Sequence, residues 1–103
     1  MNEVSAELLD DVMSYCNLTW ADERKKKDIL DFIATGMSVL NDLAGSDQDY
    51  NIPGLQRQML KDYVLYADNH AVSEFMKNYQ QDILRLRMTN EIKVFEESEG
   101  TTQ

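Results

Sequence analysis

The sequence is poor in the residues that hold together small secreted or turn-rich proteins. Cys16 is the only cysteine among 103 residues, so the chain cannot form an internal disulfide, and a reducing cytosolic compartment is expected. One proline and four glycines leave little material for the many tight turns of an all-β domain. Regular helix is therefore easier to place in this chain than strand.

Long apolar runs and targeting signals are also missing. No stretch approaches the ~18 consecutive apolar residues that identify a membrane-spanning helix. The opening segment MNEVSAELLDDV has neither a basic start nor an apolar run, so a secretory signal peptide is not expected. We therefore expect no contact with a membrane.

Basic residues are few: 10 stand against 19 acidic ones, for a net charge of −9. Such a chain is repelled by DNA, RNA and anionic lipid, so groove reading is not expected. The charge is unevenly spread, because residues 1–53 hold 11 acids and 4 bases whereas residues 54–95 hold 5 acids and 6 bases. A chain polarised in this way can stack head to tail with its own copies or meet a basic partner.

Catalytic and metal-binding patterns are likewise missing. The sequence contains no phosphate-binding loop, HExxH, GxSxG, CxxC or dinucleotide fingerprint. Cys16 and His70 cannot complete a zinc site without carboxylates from elsewhere, and a Cys–His dyad would lack an orienting third group. Residues 47–51 (DQDYN) resemble the start of a calcium loop, but Ile52 and Gln58 stand where that loop needs Gly and Glu. We expect no enzyme, no metal and no cofactor.

What the chain does contain is helical periodicity over a single domain, residues 1–95. Ser5 is expected to cap a first helix that runs to about Tyr15. Thr19 is expected to cap a second, long helix from Trp20 to about Leu43, with Asp22 completing a capping box. Its apolar residues recur at spacings of three and four: Ile29, Phe32, Ile33, Met37, Leu40 and Leu43.

Two glycines have assigned roles in the second helix. Ala44-Gly45 supplies its C-terminal stop. Gly36 lies inside it, at a cost of about 1 kcal/mol relative to alanine, which predicts the close approach of another helix. A hinge at Gly36 is the alternative.

Two further helices complete the predicted all-α fold, a small four-helix bundle. Pro53 is placed as the first residue of the third helix, which ends near residues 68–70. Ser73 is expected to cap the fourth, which runs to about Phe95 and precedes a disordered acidic tail, residues 96–103. The third helix carries two neighbouring apolar stripes and is therefore expected to be central: Leu55, Met59, Tyr63 and Ala67 in one, Leu60 and Val64 in the other.

Three groups of residues are candidate contacts with other proteins. Arg24, Lys25 and Lys26 belong to the one basic run, for which a solvated helix face is the alternative. Tyr66 belongs to an aromatic and Met cluster at the junction of the third and fourth helices that is expected to be mostly core, with some members left over for a subunit interface. The third group is Arg85, Arg87 and Lys93, cations that also suit the negative end of a helix dipole.

The whole pattern resembles the head–tail connector (adaptor) proteins of tailed bacteriophages. The resemblance covers about residues 5–95 and depends on the opening LLDDVMSY, the second helix ending in LAG, and a third helix followed by EFMKNYQQDILRLR. These are patterns of apolar spacing rather than a catalytic signature. The segment ADNHAV departs from the aromatic and basic character often found at that junction in the family.

The resemblance implies a structural role in the neck of the virion, after assembly in the host cytoplasm. The protein would form a homo-oligomeric ring, a dodecamer, beneath the portal protein. Its central channel would pass DNA without sequence-specific binding, and a stopper or tail-completion protein would bind its other side. The C-terminal part would engage the portal through Arg85, Arg87 and Lys93. The acidic balance agrees with a channel wall that repels phosphate.

Two other classes of function remain open at this point. A small acidic helical regulator or inhibitor would stay a monomer or dimer and bind a basic protein target. An enzyme would need a pocket in which carboxylates, Cys16 or His70 converge.

Overall fold

The computed structural model describes residues 4–89, and all regular structure in that part of the chain is helical. The helices are α1 (Ala6–Tyr15), α2 (Glu23–Ala44), α3 (Leu55–Asp68) and α4 (Val72–Asn78), followed by α5, residues 80–89. The all-helical fold class is therefore confirmed. Lys93, Phe95 and the predicted acidic tail, residues 96–103, lie outside the described residues.

The first helix begins and ends as local chemistry dictates. The Ser5 hydroxyl accepts a hydrogen bond from the Leu8 amide at 3.1 Å, which confirms the predicted N-cap. At the other end Asn17 adopts a left-handed conformation, φ 59°, and the Leu18 amide reaches back to the Met13 carbonyl. This is a Schellman ending, which satisfies carbonyls that the helix leaves unpaired.

The start of α2 differs from the prediction. Asp22, not Thr19, is its N-cap, since the Asp22 carboxylate accepts from the Lys25 amide at 2.9 Å. Leu18 is buried, and the Ala21 amide donates to its carbonyl in a turn, so residues 19–22 belong to the connection between α1 and α2. The helix then ends as predicted at Gly45, which adopts φ 86°.

The third helix is central, as its two stripes predicted, and packs against α1, α2 and α4. It crosses α2 at Gly36, where an added Cβ would lie 2.7 Å from Cδ1 of Tyr63 and 2.9 Å from Cδ1 of Leu60. The predicted close approach at this glycine is confirmed. The core that results draws on every segment from α1 to α5, and its most buried side chains include Leu8, Val12, Ile29, Ile33, Leu40, Met59, Leu60, Val64 and Phe75.

The predicted start of α3 at Pro53 is wrong, because Pro53 and Gly54 belong to the preceding turn. Gly54 is the N-cap at φ 153°, a conformation that favours glycine, and the helix begins at Leu55. In the loop before α3, which is polar in most of its residues, Tyr50 is buried. Its hydroxyl donates to the Asn41 side-chain oxygen at 2.8 Å, which satisfies the polar atom in the core.

The predicted fourth helix is two helices. Its first part begins at Val72 with Ala71 as N-cap, so the expected cap at Ser73 is also wrong. The chain leaves helical geometry at Tyr79, φ −109° and ψ 20°, and resumes as α5. The Tyr79 ring stacks on Phe75 at 4.6 Å between centroids, and this packing accompanies the break between α4 and α5.

Candidate interaction surfaces

The basic run divides between structure and surface. Lys25 forms an ion pair with Asp68 and so ties the start of α2 to the end of α3. Lys26 is half-buried in a polar cleft beside Asp10. Arg24 is exposed and is the predicted contact residue in this run that is best placed to meet another protein.

The aromatic cluster lies where it was predicted, at the junction of α3 and α4. Phe75 is fully buried and packs in a T-shaped arrangement against Tyr63, with ring centroids 5.4 Å apart. Tyr66 and Tyr79 are half-buried and contact each other edge to face at 5.8 Å. The inner half of the cluster is thus core, whereas the outer half, with Tyr66, reaches the surface.

A polar cluster around Asp62 was not predicted. Asp62 is only 6% exposed, and its carboxylate accepts hydrogen bonds from the Tyr15 hydroxyl and, at 3.5 Å, from the Gln58 amide. The Asp62 carboxylate, together with burial, raises the pKa of Tyr15 to about 12. Burial and the same carboxylate raise the pKa of Tyr79. One signal was present in the sequence: an acid in the middle of a helix that is apolar over a wide arc needs partners.

A second unpredicted cluster joins α1 to α3. Asp11 accepts from Arg57 at 2.9 Å and lies 3.4 Å from the Lys61 ammonium group. The hydrogen bond from Arg57 is the main reason that the pKa of Asp11 falls below 3.8. Arg57 also donates to the Asn51 carbonyl, so the loop before α3 is fixed by the same side chain. Because Asp11 engages both Arg57 and Lys61, the surface around these two side chains offers little free positive charge to a phosphate.

Cys16 and His70 have structural surroundings. The Cys16 thiol is buried near the Lys61 carbonyl, and burial raises its pKa to about 11, so it is protonated at neutral pH and a poor nucleophile. His70 is exposed and occupies the left-handed position that ends α3, with φ 57°. Within residues 4–89 no group of three or more His, Cys, Asp or Glu side chains is arranged to hold a metal ion.

The two predicted arginines of α5 have different surroundings. Arg87 donates to the Leu43 carbonyl at 3.1 Å, so it fastens α5 to the C-terminal end of α2. The Arg85 side chain is 70% exposed and lies 3.3 Å from Asp82 on its own helix. A surface pair of this kind holds its members weakly, which leaves Arg85 free to meet another protein. Lys93, the third predicted contact, lies outside the described residues.

Several large apolar side chains are exposed at positions for which the sequence pattern predicted no contact. Leu84 and Met88 are 54% and 51% exposed, and their spacing of four places them on one face of α5. Leu86, on another face of the same helix, is buried in the core. Trp20 is 71% exposed and Ile52 52% exposed, in the loops before α2 and α3. Exposed apolar groups of this size are typical of interaction surfaces.

The chain matches no protein-family model, no curated protein and no solved structure. The likeness to head–tail connectors therefore stays a prediction based on the patterns of apolar spacing. In the part of the chain from residue 4 to residue 89, no helix has both the length and the apolar character that crossing a bilayer requires.

Proposed function

We propose that the protein is a structural, non-enzymatic head–tail connector of a tailed bacteriophage. In this proposal it forms a ring, twelvefold as the resemblance implies, beneath the portal of the filled head. The ring continues the DNA channel and receives the stopper or tail-completion protein. Its place is the neck of the virion, which it reaches from the host cytoplasm during assembly.

The observation that carries the proposal is the outer face of α5. Leu84 and Met88 expose two large apolar side chains on that face, and Arg85 lies beside them. Apolar anchors next to an arginine are a common composition at the centre of protein interfaces, where Met and Arg are enriched. This face belongs to the C-terminal part of the chain, which the resemblance assigns to the portal contact.

The net charge of the chain supports the proposed lining of a DNA channel. A net charge of −9 disfavours binding to the phosphate backbone, so DNA would slide past the protein rather than adhere to it. Many exposed acids of the first two helices and the loop after them contribute to this field: Glu7, Asp10, Asp22, Glu23, Asp28, Asp31, Asp42, Asp47 and Asp49.

The proposal is tested by mixing the full chain with purified portal rings and imaging the particles by electron microscopy. We expect the wild-type protein to add a layer to the ring. The double variant Leu84→Glu/Met88→Glu should not, because two carboxylates would then have to be desolvated at the contact. The matched control is Thr35→Glu/Ser38→Glu, which adds the same charge to exposed positions of α2 and should bind as the wild type does.

Each outcome of this experiment bears on the proposal. Circular dichroism of both variants checks that they remain helical. A wild-type chain that adds no layer to portal rings, and stays a monomer or dimer that binds a basic soluble protein, would contradict the connector role and support the regulator instead. Equal binding by both double variants would show that the α5 face is not the portal contact.

A further inference from the structure

Two surface features that the connector proposal does not use lie at opposite ends of α2. They are the exposed Trp20 and a cleft between α5 and the loop that joins α2 to α3. Trp20 precedes the first residue of that helix, Glu23, by three positions. At the other end, Arg87 holds α5 against Leu43. A helix rises about 1.5 Å per residue, so the 20 steps from Glu23 to Leu43 separate the two ends by roughly 30 Å. One molecule therefore cannot bring these two features together.

The first feature is the Trp20 indole, which is exposed to solvent and restrained by a hydrogen bond. Trp20 is 71% exposed, yet its Nε1 donates to the Asn17 carbonyl at 3.1 Å, which restrains the ring. A restrained aromatic side chain loses less conformational entropy when it binds, and tryptophan is enriched among binding hot spots. Two exposed cations, Arg24 and Lys27, follow within the next two turns.

The second feature is a cleft between α5 and the loop that joins α2 to α3. It has a volume of about 350 Å³, and Ile52, Pro53 and Leu86 contribute apolar surface to it. Asp47 and Asp49 also line it, and both are exposed. Among residues 4–89, those that line the cleft include no Lys or Arg, so the described lining carries negative charge.

The two features are complementary in apolar character and in charge. One presents a large apolar side chain beside cations, and the other presents an apolar recess beside carboxylates. Because they are different patches on one molecule, pairing them between copies gives a head-to-tail contact, which closes into a ring when the rotation between copies allows it. Opposite charges at the rim would steer the encounter and fix the register.

We infer that Trp20 of each copy inserts into the cleft between α5 and the α2–α3 loop of the next copy. Arg24 and Lys27 of the first copy then face Asp47 and Asp49 of the second. This inference rests on the proposed connector role, which requires contacts between copies, and it names the residues that make them. It leaves the outer face of α5, with Leu84 and Met88, available for the portal.

The single tryptophan of the chain makes the contact directly measurable. When wild-type protein assembles on portal rings, Trp20 emission should shift to shorter wavelength, and quenching by acrylamide should fall at least twofold. Trp20→Ala should reduce ring formation at least tenfold, whereas Thr19→Ala, at the neighbouring exposed position, should not. A complete ring in which Trp20 remains as exposed as in the free protein would overturn the inference while leaving the connector role in place.

Charge reversal provides a second test that needs no portal. Arg24→Glu/Lys27→Glu and Asp47→Lys/Asp49→Lys should each abolish self-association of the full chain in sedimentation experiments. Mixed together, the two variants should associate with each other, since the carboxylates of one would face the lysines of the other. The absence of any such rescue, or self-association of either variant alone at the wild-type level, would refute the contact even if portal binding is observed.

Discussion

Gly36 of α2 lies directly against the ring of Tyr63 in α3. A Cβ at this position would be 2.7 Å from Cδ1 of the ring, closer than carbon atoms approach without displacement. Tyr63 cannot easily yield, because its ring packs in a T-shaped arrangement against the fully buried Phe75. The spacing of α2 and α3 therefore depends on the absence of one side chain.

This relationship predicts the effect of Gly36→Ala. Overpacking a core costs about 1–3 kcal/mol, whereas alanine gains about 1 kcal/mol over glycine in a helix. We expect a net loss of about 1 kcal/mol in the free energy of unfolding, measured by urea denaturation. Thr35→Ala, at an exposed position one residue away, is the control and should not destabilise the protein. An equally stable Gly36→Ala protein would show that the two helices can separate at little cost.

The N-cap of α2 gives a prediction that distinguishes Asp22, the cap in the structure, from Thr19, the cap expected from the sequence. Asp22→Ala should lower the free energy of unfolding by about 1 kcal/mol, because the Lys25 amide loses its acceptor. Thr19→Ala should change it by less than about 0.5 kcal/mol, as is usual for exposed positions outside such features. Thermal unfolding followed by circular dichroism compares the two. The reverse order of effects would restore Thr19 as the cap.

The hydrogen bond from Tyr15 to Asp62 makes stability sensitive to alkaline pH. Tyr15→Phe should cost about 1 kcal/mol at neutral pH, because a buried carboxylate loses a donor. Tyr66→Phe is the control, since the Tyr66 hydroxyl accepts a hydrogen bond from the exposed Asn78 amide rather than donating to a buried carboxylate. Both variants are compared with the wild type by urea unfolding.

The direction of the pH effect follows from the raised pKa of Tyr15. The folded protein favours the neutral phenol, so this contribution is complete below the ordinary pKa of 10.0 and is lost as the pH rises towards about 12. The wild type should therefore lose stability more steeply than Tyr15→Phe between these values. Parallel pH profiles would contradict the role of the hydrogen bond.

The ion pairs of Asp11 predict the opposite dependence at acid pH. Arg57 and Lys61 hold the pKa of Asp11 below 3.8, so their contribution is present above that pH and is lost as the pH falls through the lowered value. Asp11→Asn should cost about 0.5–1 kcal/mol at pH near 7, the range of partly exposed pairs. This difference should vanish under strongly acid conditions. Asp10→Asn, at the exposed neighbouring position, should be neutral throughout.

Much of the architecture could be predicted from local patterns. The apolar spacing of α1, α2 and α3 identified their inward faces, and Ser5 and Gly45 marked a start and an end. These features depend on residues within a turn of each other, so the sequence carries them directly. The central place of α3 followed from its two stripes, since a helix that is apolar over a wide arc needs neighbours on several sides.

The failures occurred where distant residues decide the outcome. Thr19 has the chemistry of an N-cap, but burial of Leu18 in the core displaces the start of α2 to Asp22. The periodicity of residues 73–95 continues through Tyr79, whereas stacking of its ring on Phe75 accompanies a break that no local signal announces. Tyr50 lies in a polar segment yet is buried, and its hydroxyl donates a hydrogen bond to the Asn41 side-chain oxygen.

The sequence by itself determined an acidic, helical chain with one cysteine, a central third helix and a close contact at Gly36. Only the tertiary structure decided which charged and apolar residues remain available to other molecules. In that structure Lys25 pairs with Asp68 and Arg87 donates to the Leu43 carbonyl, whereas Arg85, Leu84 and Trp20 remain exposed. The physical reason is that exposure depends on what covers a side chain from across the fold, whereas periodicity reports only the neighbours within a turn.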